Sequence, residues 1–553
     1  MKKTALFLFG IMVLAAVLRL WQLGNVPPSP DWDEAALGYN AYSIMQTGRD
    51  EYGKLLPFVL RSFDDYKPAL YAYLIIPFIK LFGLNIIAVR LPSAIFGILA
   101  VFGTYFLVKE LFKSSKIALL TSFLLAISPW HIQFSRIGFE SQVGTCFNIL
   151  ATLFFLKGLR RPQLLLFSVV LYASNLYIYQ SEKVFVPLLF LALAFIFRKE
   201  LFGINKKYLV TVGILGLLIV LPMVHFTLTN KDALARARGV SVFSESTQLL
   251  ADTTKRLLED KQNNDVVGLI FDNRRIIYIK SIIAGYIAHF DLNWLFITGD
   301  ITRHHAPGMG LLYLWELPFL LVGIYVLIFG SKNNGFDTKT KAVIFSWFLI
   351  APISASITSG VPHAVRTLNF LPTFQIFIAL GIFTVFTQIS NIKYQVLNIR
   401  RFRYLLITCF LLLATFNILY YINQYFVQQN YYTSEDWQYG YKEAVEQVKA
   451  VQNRYDKIIV SNKPYLDQSY IFFLFYLEYP PDLYQKESQF ASGGFRENHA
   501  FGKYAFRPIV WEKEIKNSKT LYVGLPEDFS DEAKVIKLIN FLDGKPAIKI
   551  VEG

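Results

Sequence analysis

Apolar runs close to the roughly 20 residues that a helix needs to cross a bilayer recur through most of this chain, at 4–23, 86–108, 117–134, 140–158, 163–179, 182–197, 208–228, 310–330, 341–358, 366–388 and 404–426. No other feature constrains the fold as strongly, because the solvent for most of the chain is then lipid. Composition agrees. The chain is 54% hydrophobic and 17% charged, where a soluble globular protein has about 45–50% and 25%. The sequence predicts an all-α polytopic membrane domain of about eleven helices over 1–426, then a small soluble α/β domain over 427–553.

The formal charge of +15 is a topology signal, not a nucleic-acid footprint, because Lys and Arg collect in short segments between the apolar runs. With the N-terminus in the cytoplasm, every inner loop is basic, as at Arg160-Arg161 and Lys206-Lys207, while the short outer loops hold little beyond Arg136 and Lys183. This places the chain in the cell membrane as a multi-pass protein. The run 68–83 is short and contains Pro77; counting it as a crossing would put the basic loops outside, so it is expected to lie at the interface. Three long segments then face outward: 24–85, 229–309 and the tail. In the tail, a helix is expected over 435–453 after a Ser434 cap, with strands at 457–460, 520–523 and 547–551. Cys146 and Cys409 imply neither a disulfide framework nor a metal site. The first apolar run lacks a small-residue cleavage pattern and is expected to be retained.

Charged residues avoid the centres of the apolar runs and gather at their outer ends. A proton-coupled transporter would carry some near mid-span, so the pattern describes a site at the outer surface. In the first outer loop, Asp31 and Glu34 form a capping box opening a helix, and Asp33 suits its first turn. A carboxylate fixed there is also a rigidly placed base; the two roles are compatible.

Leu18-Arg19-Leu20, Asp33-Glu34, Lys67-Pro68-Ala69-Leu70-Tyr71, Phe82-Gly83 and Arg90-Leu91-Pro92-Ser93-Ala94 resemble the N-terminal half of bacterial members of the dolichyl-phosphate-mannose protein mannosyltransferase family, within the GT-C superfamily. Pro129-Trp130-His131, Ser135-Arg136, Glu140, Pro362-His363, Arg366 and Pro372 are similar to further family signatures. The resemblance covers roughly 1–425. It implies an inverting glycosyltransferase that takes a sugar from a polyprenyl-phosphate donor and passes it to a protein, lipid or glycan acceptor outside the cytoplasm.

In such a reaction the acceptor hydroxyl loses a proton while the phosphate leaves, so one carboxylate belongs near the acceptor and cations near the phosphate. The resemblance gives the base role to Asp33, with Glu34 as an alternate base or orienting group. Arg136, Lys183 and Arg366 are candidates for the phosphate; Arg136 and Lys183 equally suit interfacial positions reaching head groups. Glu140 is expected either in the site or paired with Arg136 four residues earlier. His131, Arg303, His304, His305 and His363 complete the candidate substrate site. No cofactor is required. A divalent metal remains open on the histidines, although their spacing matches no compact metal motif. Two other classes compete, a transporter or lipid flippase and a glycan ligase or polymerase. The first would show mid-span polar residues and a repeat relating two halves, and the early Asp-Glu loop disfavours the second.

Overall fold

A computed structural model describes residues 2–63, 65–230, 239, 241–243, 246–330, 337–391, 397–487 and 498–553; parts of the predicted 229–309 loop and of two basic loops lie outside these. Each predicted apolar run contains helix. Lys2–Leu20, Ile86–Phe112, Lys206–Thr229, Leu368–Gln388 and Ile407–Thr433 include helices long and apolar enough to cross a membrane, as a multi-pass membrane protein requires. Ser115–Ile127 and Pro129–Ser135 add a sixth if the pair, bent by 60°, is one span. Ser128 carries that bend in extended backbone (ψ 123°), as a residue before proline prefers. Among the described residues the full count of eleven is not reached by length. Leu164–Asn175, Glu182–Ile196, Leu317–Phe329 and Thr338–Ile350 have only 12, 15, 13 and 13 residues. The run at 68–83 forms a 13-residue helix, Leu70–Phe82, after a hairpin of Val59–Ser62 with Asp65–Pro68.

The chain divides into two compact units. The first comprises Met1–Met12, Leu99–His131 and Gly144–Asn417. In it, Leu317–Phe329 and Thr373–Asn391 meet backbone to backbone. A Cβ at Gly323 would lie 1.8 Å from the Phe377 carbonyl oxygen, and one at Gly381 2.0 Å from that of Phe319. Only glycine permits the approach, and small residues at helix contacts are the usual means of packing in lipid.

The second unit comprises Val13–Ile98, Ile132–Val143 and Ile418–Gly553. Its tail holds a six-stranded sheet in the order His499–Phe501, Tyr504–Phe506, Lys457–Val460, Thr520–Gly524, Pro546–Glu552, Lys534–Asn540. Lys457–Val460 runs parallel to both of its neighbours, and the remaining pairs are antiparallel. The three expected strands are present, with three more: His499–Phe501 and Tyr504–Phe506, of three residues each, and Lys534–Asn540. The expected helix starts late, at Tyr441 after Gly440 (φ 108°), and Ser434 instead accepts a hydrogen bond from the Leu542 N–H at 3.2 Å. Helix Ser469–Leu477 is buried over Ser469–Phe475 and packs on Trp32–Thr47 so closely that a Cβ at Gly38 would lie 2.6 Å from the Phe475 ring. Tyr39 Oη donates to the Tyr479 carbonyl (3.0 Å) and Gln485 Nε2 to that of Asp50 (2.9 Å). The tail thus braces the first-loop helix.

Candidate functional site

Helix Trp32–Thr47 opens as expected. Asp31 Oδ1 accepts the Glu34 N–H at 2.9 Å, Glu34 accepts the Asp31 N–H, and the box is closed. The two adjacent carboxylates then part company. Glu34 turns inward, fully buried, and receives the fork of Arg90 through Nε (2.8 Å) and Nη2 (2.9 Å). The other Arg90 N–H groups go to the carbonyls of Leu23, Pro27 and Ser29, so all five donors of the guanidinium are used. The Gly138 N–H adds a bond to Glu34 at 2.6 Å. Asp33 turns outward, its side chain 28% exposed, and pairs with Lys67, itself 10% exposed. Lys67 stands in the Lys-Pro-Ala-Leu-Tyr motif but was not among the residues singled out for chemistry.

Arg136 is fully buried, with its guanidinium donating to the carbonyls of Leu18 (3.0 Å), Gln22 (3.3 Å) and Val26 (3.0 Å) and lying 4.8 Å from the Phe426 ring centroid. Glu140 is buried just before helix Ser141–Gly158. A further carboxyl in this unit escaped notice. Glu51 is fully buried, exchanging bonds with Asn40 at 3.1 and 3.0 Å, while its Oε2 accepts none among the described residues. Burial pushes this carboxyl up to about 8; the Asn40 bond opposes the rise, Asp50 adds to it, and Arg61 and Lys67 oppose it.

In the first unit, Asp300 gathers part of the histidine set. Its Oδ2 lies 2.8 Å from His304 Nδ1 and 4.0 Å from His363 Nδ1, and accepts the Ala364 N–H at 2.7 Å. Burial raises the Asp300 carboxyl, but the His304 hydrogen bond, the neighbouring imidazoles and the Ala364 N–H outweigh it and hold it at about 2. One ligand atom from each of Asp300, His304 and His363 lies within 4.8 Å of the others, a donor set of imidazole and carboxylate that suits zinc and other transition metals. His305 is turned aside toward the Ala306 carbonyl (2.8 Å), and His131 is buried outside the group. His289, which sequence reasoning missed, accepts the His363 N–H on Nε2 at 3.2 Å and faces the Gly285 carbonyl with Nδ1 at 2.7 Å. Burial holds its imidazole down at about 4, so it is neutral with Nδ1 carrying the proton. Arg303 is partly exposed beside His304. Arg366 Nη1 donates to Thr358 Oγ1 (2.6 Å) and the Ser359 carbonyl (2.7 Å).

The segment that carries His363 and Arg366 is held from several sides. Trp130 Nε1 donates to the Ala364 carbonyl at 3.2 Å, and Trp347 Nε1 to that of Asn369 at 2.6 Å. The Asn369 amide donates to Glu182 Oε1 at 2.7 Å, and Glu182 Oε2 accepts from Asn148 (2.8 Å) and Asn175 (3.2 Å). Glu182 is fully buried in the first turn of its helix, and Lys183 follows it, partly exposed.

Sequence and fold comparisons bear on what such a chain does. The family model described as dolichyl-phosphate-mannose-protein mannosyltransferase matches residues 66–226. No curated protein matches in sequence. Among solved structures, the chain is similar to ArnT from Cupriavidus metallidurans in the apo state, with a TM-score of 0.54 at 12% identity, covering 99% of this chain and 98% of that one. The same protein bound to undecaprenyl phosphate matches at 0.54 and 11%, with the same coverage. The apo oligosaccharyltransferase of Archaeoglobus fulgidus matches at 0.50 and 13%, covering 85% of this chain and 63% of that one. The fold is shared with ArnT and with the archaeal oligosaccharyltransferase. Together with the family match, it supports the GT-C superfamily for this chain.

Proposed function

We propose that the protein transfers a sugar from a polyprenyl-phosphate donor to an acceptor hydroxyl on the extracytoplasmic face, with inversion, and that Asp33 is the base. The observation that carries this is the division of labour between neighbours: Glu34 is sealed and saturated by Arg90, whereas Asp33 is partly exposed on a capped helix end and paired with Lys67. A base has to reach the proton it takes, and only Asp33 has that access. The hydroxyl proton passes to Asp33 as the acceptor oxygen bonds the anomeric carbon. The bond from that carbon to the phosphate oxygen breaks, and its electron pair leaves with the polyprenyl phosphate.

Lys183 and Arg366 are the cations assigned to the phosphate, while Arg136, occupied by three carbonyls, is assigned to holding the end of the first helix. The undecaprenyl phosphate bound by ArnT, whose fold this chain shares, supports a carrier of that class. A divalent ion, if bound, would be held by Asp300, His304 and His363.

Asp33→Asn tests the assignment. Asparagine keeps the shape but cannot take a proton, so transfer from a polyprenyl-phosphate sugar should fall about 10² to 10⁴-fold with folding preserved. Glu34→Gln should instead show as lost stability. Near-normal turnover in Asp33→Asn, read by mass spectrometry of the released carrier, would remove Asp33 from the chemistry.

A further inference from the structure

Glu182 is an anomaly in an apolar helix. Ionisable groups inside membrane helices are expensive and are usually paired or functional, yet every partner of this carboxyl is an amide: Asn148, Asn175 and Asn369. No Lys, Arg or His is bonded to it among the described residues. A carboxyl suits this post because it offers two oxygens and can take three amide donors, whereas an amide would offer one oxygen. The three asparagines come from helix Ser141–Gly158, the end of helix Leu164–Asn175 and the turn Leu368–Phe370.

The network is closed on itself, since Asn148 also donates to Asn369 Oδ1 at 2.9 Å and Asn175 to Asn148 Oδ1 at 2.8 Å. It is also sterically exact. A Cβ at Gly144 would stand 2.8 Å from Glu182 Oε1 and 3.1 Å from Asn175 Oδ1, so both oxygens face one point above the glycine. Asn175 Oδ1 accepts no hydrogen bond among the described residues, which leaves room there for a donor on the residue at 182.

Asn369 stands three residues after Arg366. The segment that includes both is fixed ahead of Arg366, where Asp300 accepts the Ala364 N–H, and at its far end by what grips Asn369. We propose that Glu182 is a positioning residue for Arg366: through Asn369 it holds the far end of this segment, as a hydrogen-bond hub that works without net charge. The proposal rests on the reading of Arg366 as a phosphate ligand.

The test uses undecaprenyl phosphate titrated into the purified full-length protein in detergent, with melting measured on the same samples. Glu182→Ala should weaken binding about tenfold, the worth of a buried hydrogen bond or two. Glu182→Gln, which keeps one oxygen for Asn369 but sets its amide N–H groups against the donors of Asn148 and Asn175, should recover part of it. Asn369→Ser should copy Glu182→Ala, and serves in its place if that variant fails to fold. On an Arg366→Lys background, Glu182→Ala should add little. Wild-type binding in folded Glu182→Ala or Asn369→Ser, or a full additional loss on the Arg366→Lys background, would overturn the inference and leave Glu182 a packing residue. Wild-type binding by Arg366→Lys alone would instead overturn the phosphate reading, and this inference with it.

Discussion

Glu34 and Glu182 are both sealed from solvent and both tie together segments far apart in sequence, but they are satisfied by opposite means. Glu34, in the unit that includes the tail, has a complete guanidinium fork and two backbone N–H groups. Glu182, in the other unit, has only side-chain amides. A buried carboxylate with an arginine is locked as an ion, and removing the cation strands its charge. An amide cage distributes a smaller demand over several weaker bonds. On the proposal that Asp33 is the base, the contrast supplies a physical reason: Glu34, one residue on, is already fully engaged.

The comparison can be broken at several points. The largest effect should come from Arg90→Met, which leaves the Glu34 charge buried without a partner and should cost about 3–5 kcal/mol in chemical denaturation of the detergent-solubilised protein. A cost near zero would mean that Glu34 is not held as an ion. Asn148→Ala, which removes one donor to Glu182 and one to Asn369, should cost about 1–3 kcal/mol in the same assay; a loss matching that of Arg90→Met would erase the distinction between charged and neutral hubs.

Glu51 supplies the most conditional effect, because it has neither an arginine fork nor a full cage and acts only across a pH window. Its folded carboxyl stands at about 8 against an ordinary 4.5, so the unfolded chain gives up the proton first. Wild-type stability should therefore fall as the pH rises through that window. Glu51→Gln cannot ionise. It should match the wild type below about pH 4.5 and melt at a higher temperature than the wild type above pH 8; melting curves that run parallel across the window would exclude an ionising Glu51 from the balance.

Much of the first-loop chemistry was legible because it is local. Asp31 and Glu34 are three residues apart, and the capping box follows from their spacing alone. The partner of Glu34 was not legible: Arg90 lies 56 residues away, near the start of an apolar run, and nothing in the spacing links the two. The Glu182 cage was less visible still, since Asn148, Asn175 and Asn369 are ordinary polar residues until folding brings together positions 187 residues apart. His304 and His363 stand among the candidates, but Asp300, which joins them, does not. Apolar periodicity located the helices well. It could not show where they stop, because breaks such as that at Ser128–Pro129 depend on single residues.

The order of strands in the tail has a consequence for how the protein is made. Lys457–Val460 lies between Tyr504–Phe506 and Thr520–Gly524, both of which leave the ribosome after it, so this apolar strand waits without a neighbour on either side. Thr520–Gly524 in turn waits for Pro546–Glu552. Because the same tail braces the helix bearing Asp33, that helix gains its support only after the much later tail has been made. A stop ahead of these strands would therefore be felt far upstream, as a misplaced first-loop helix in a protein whose membrane helices had already been made.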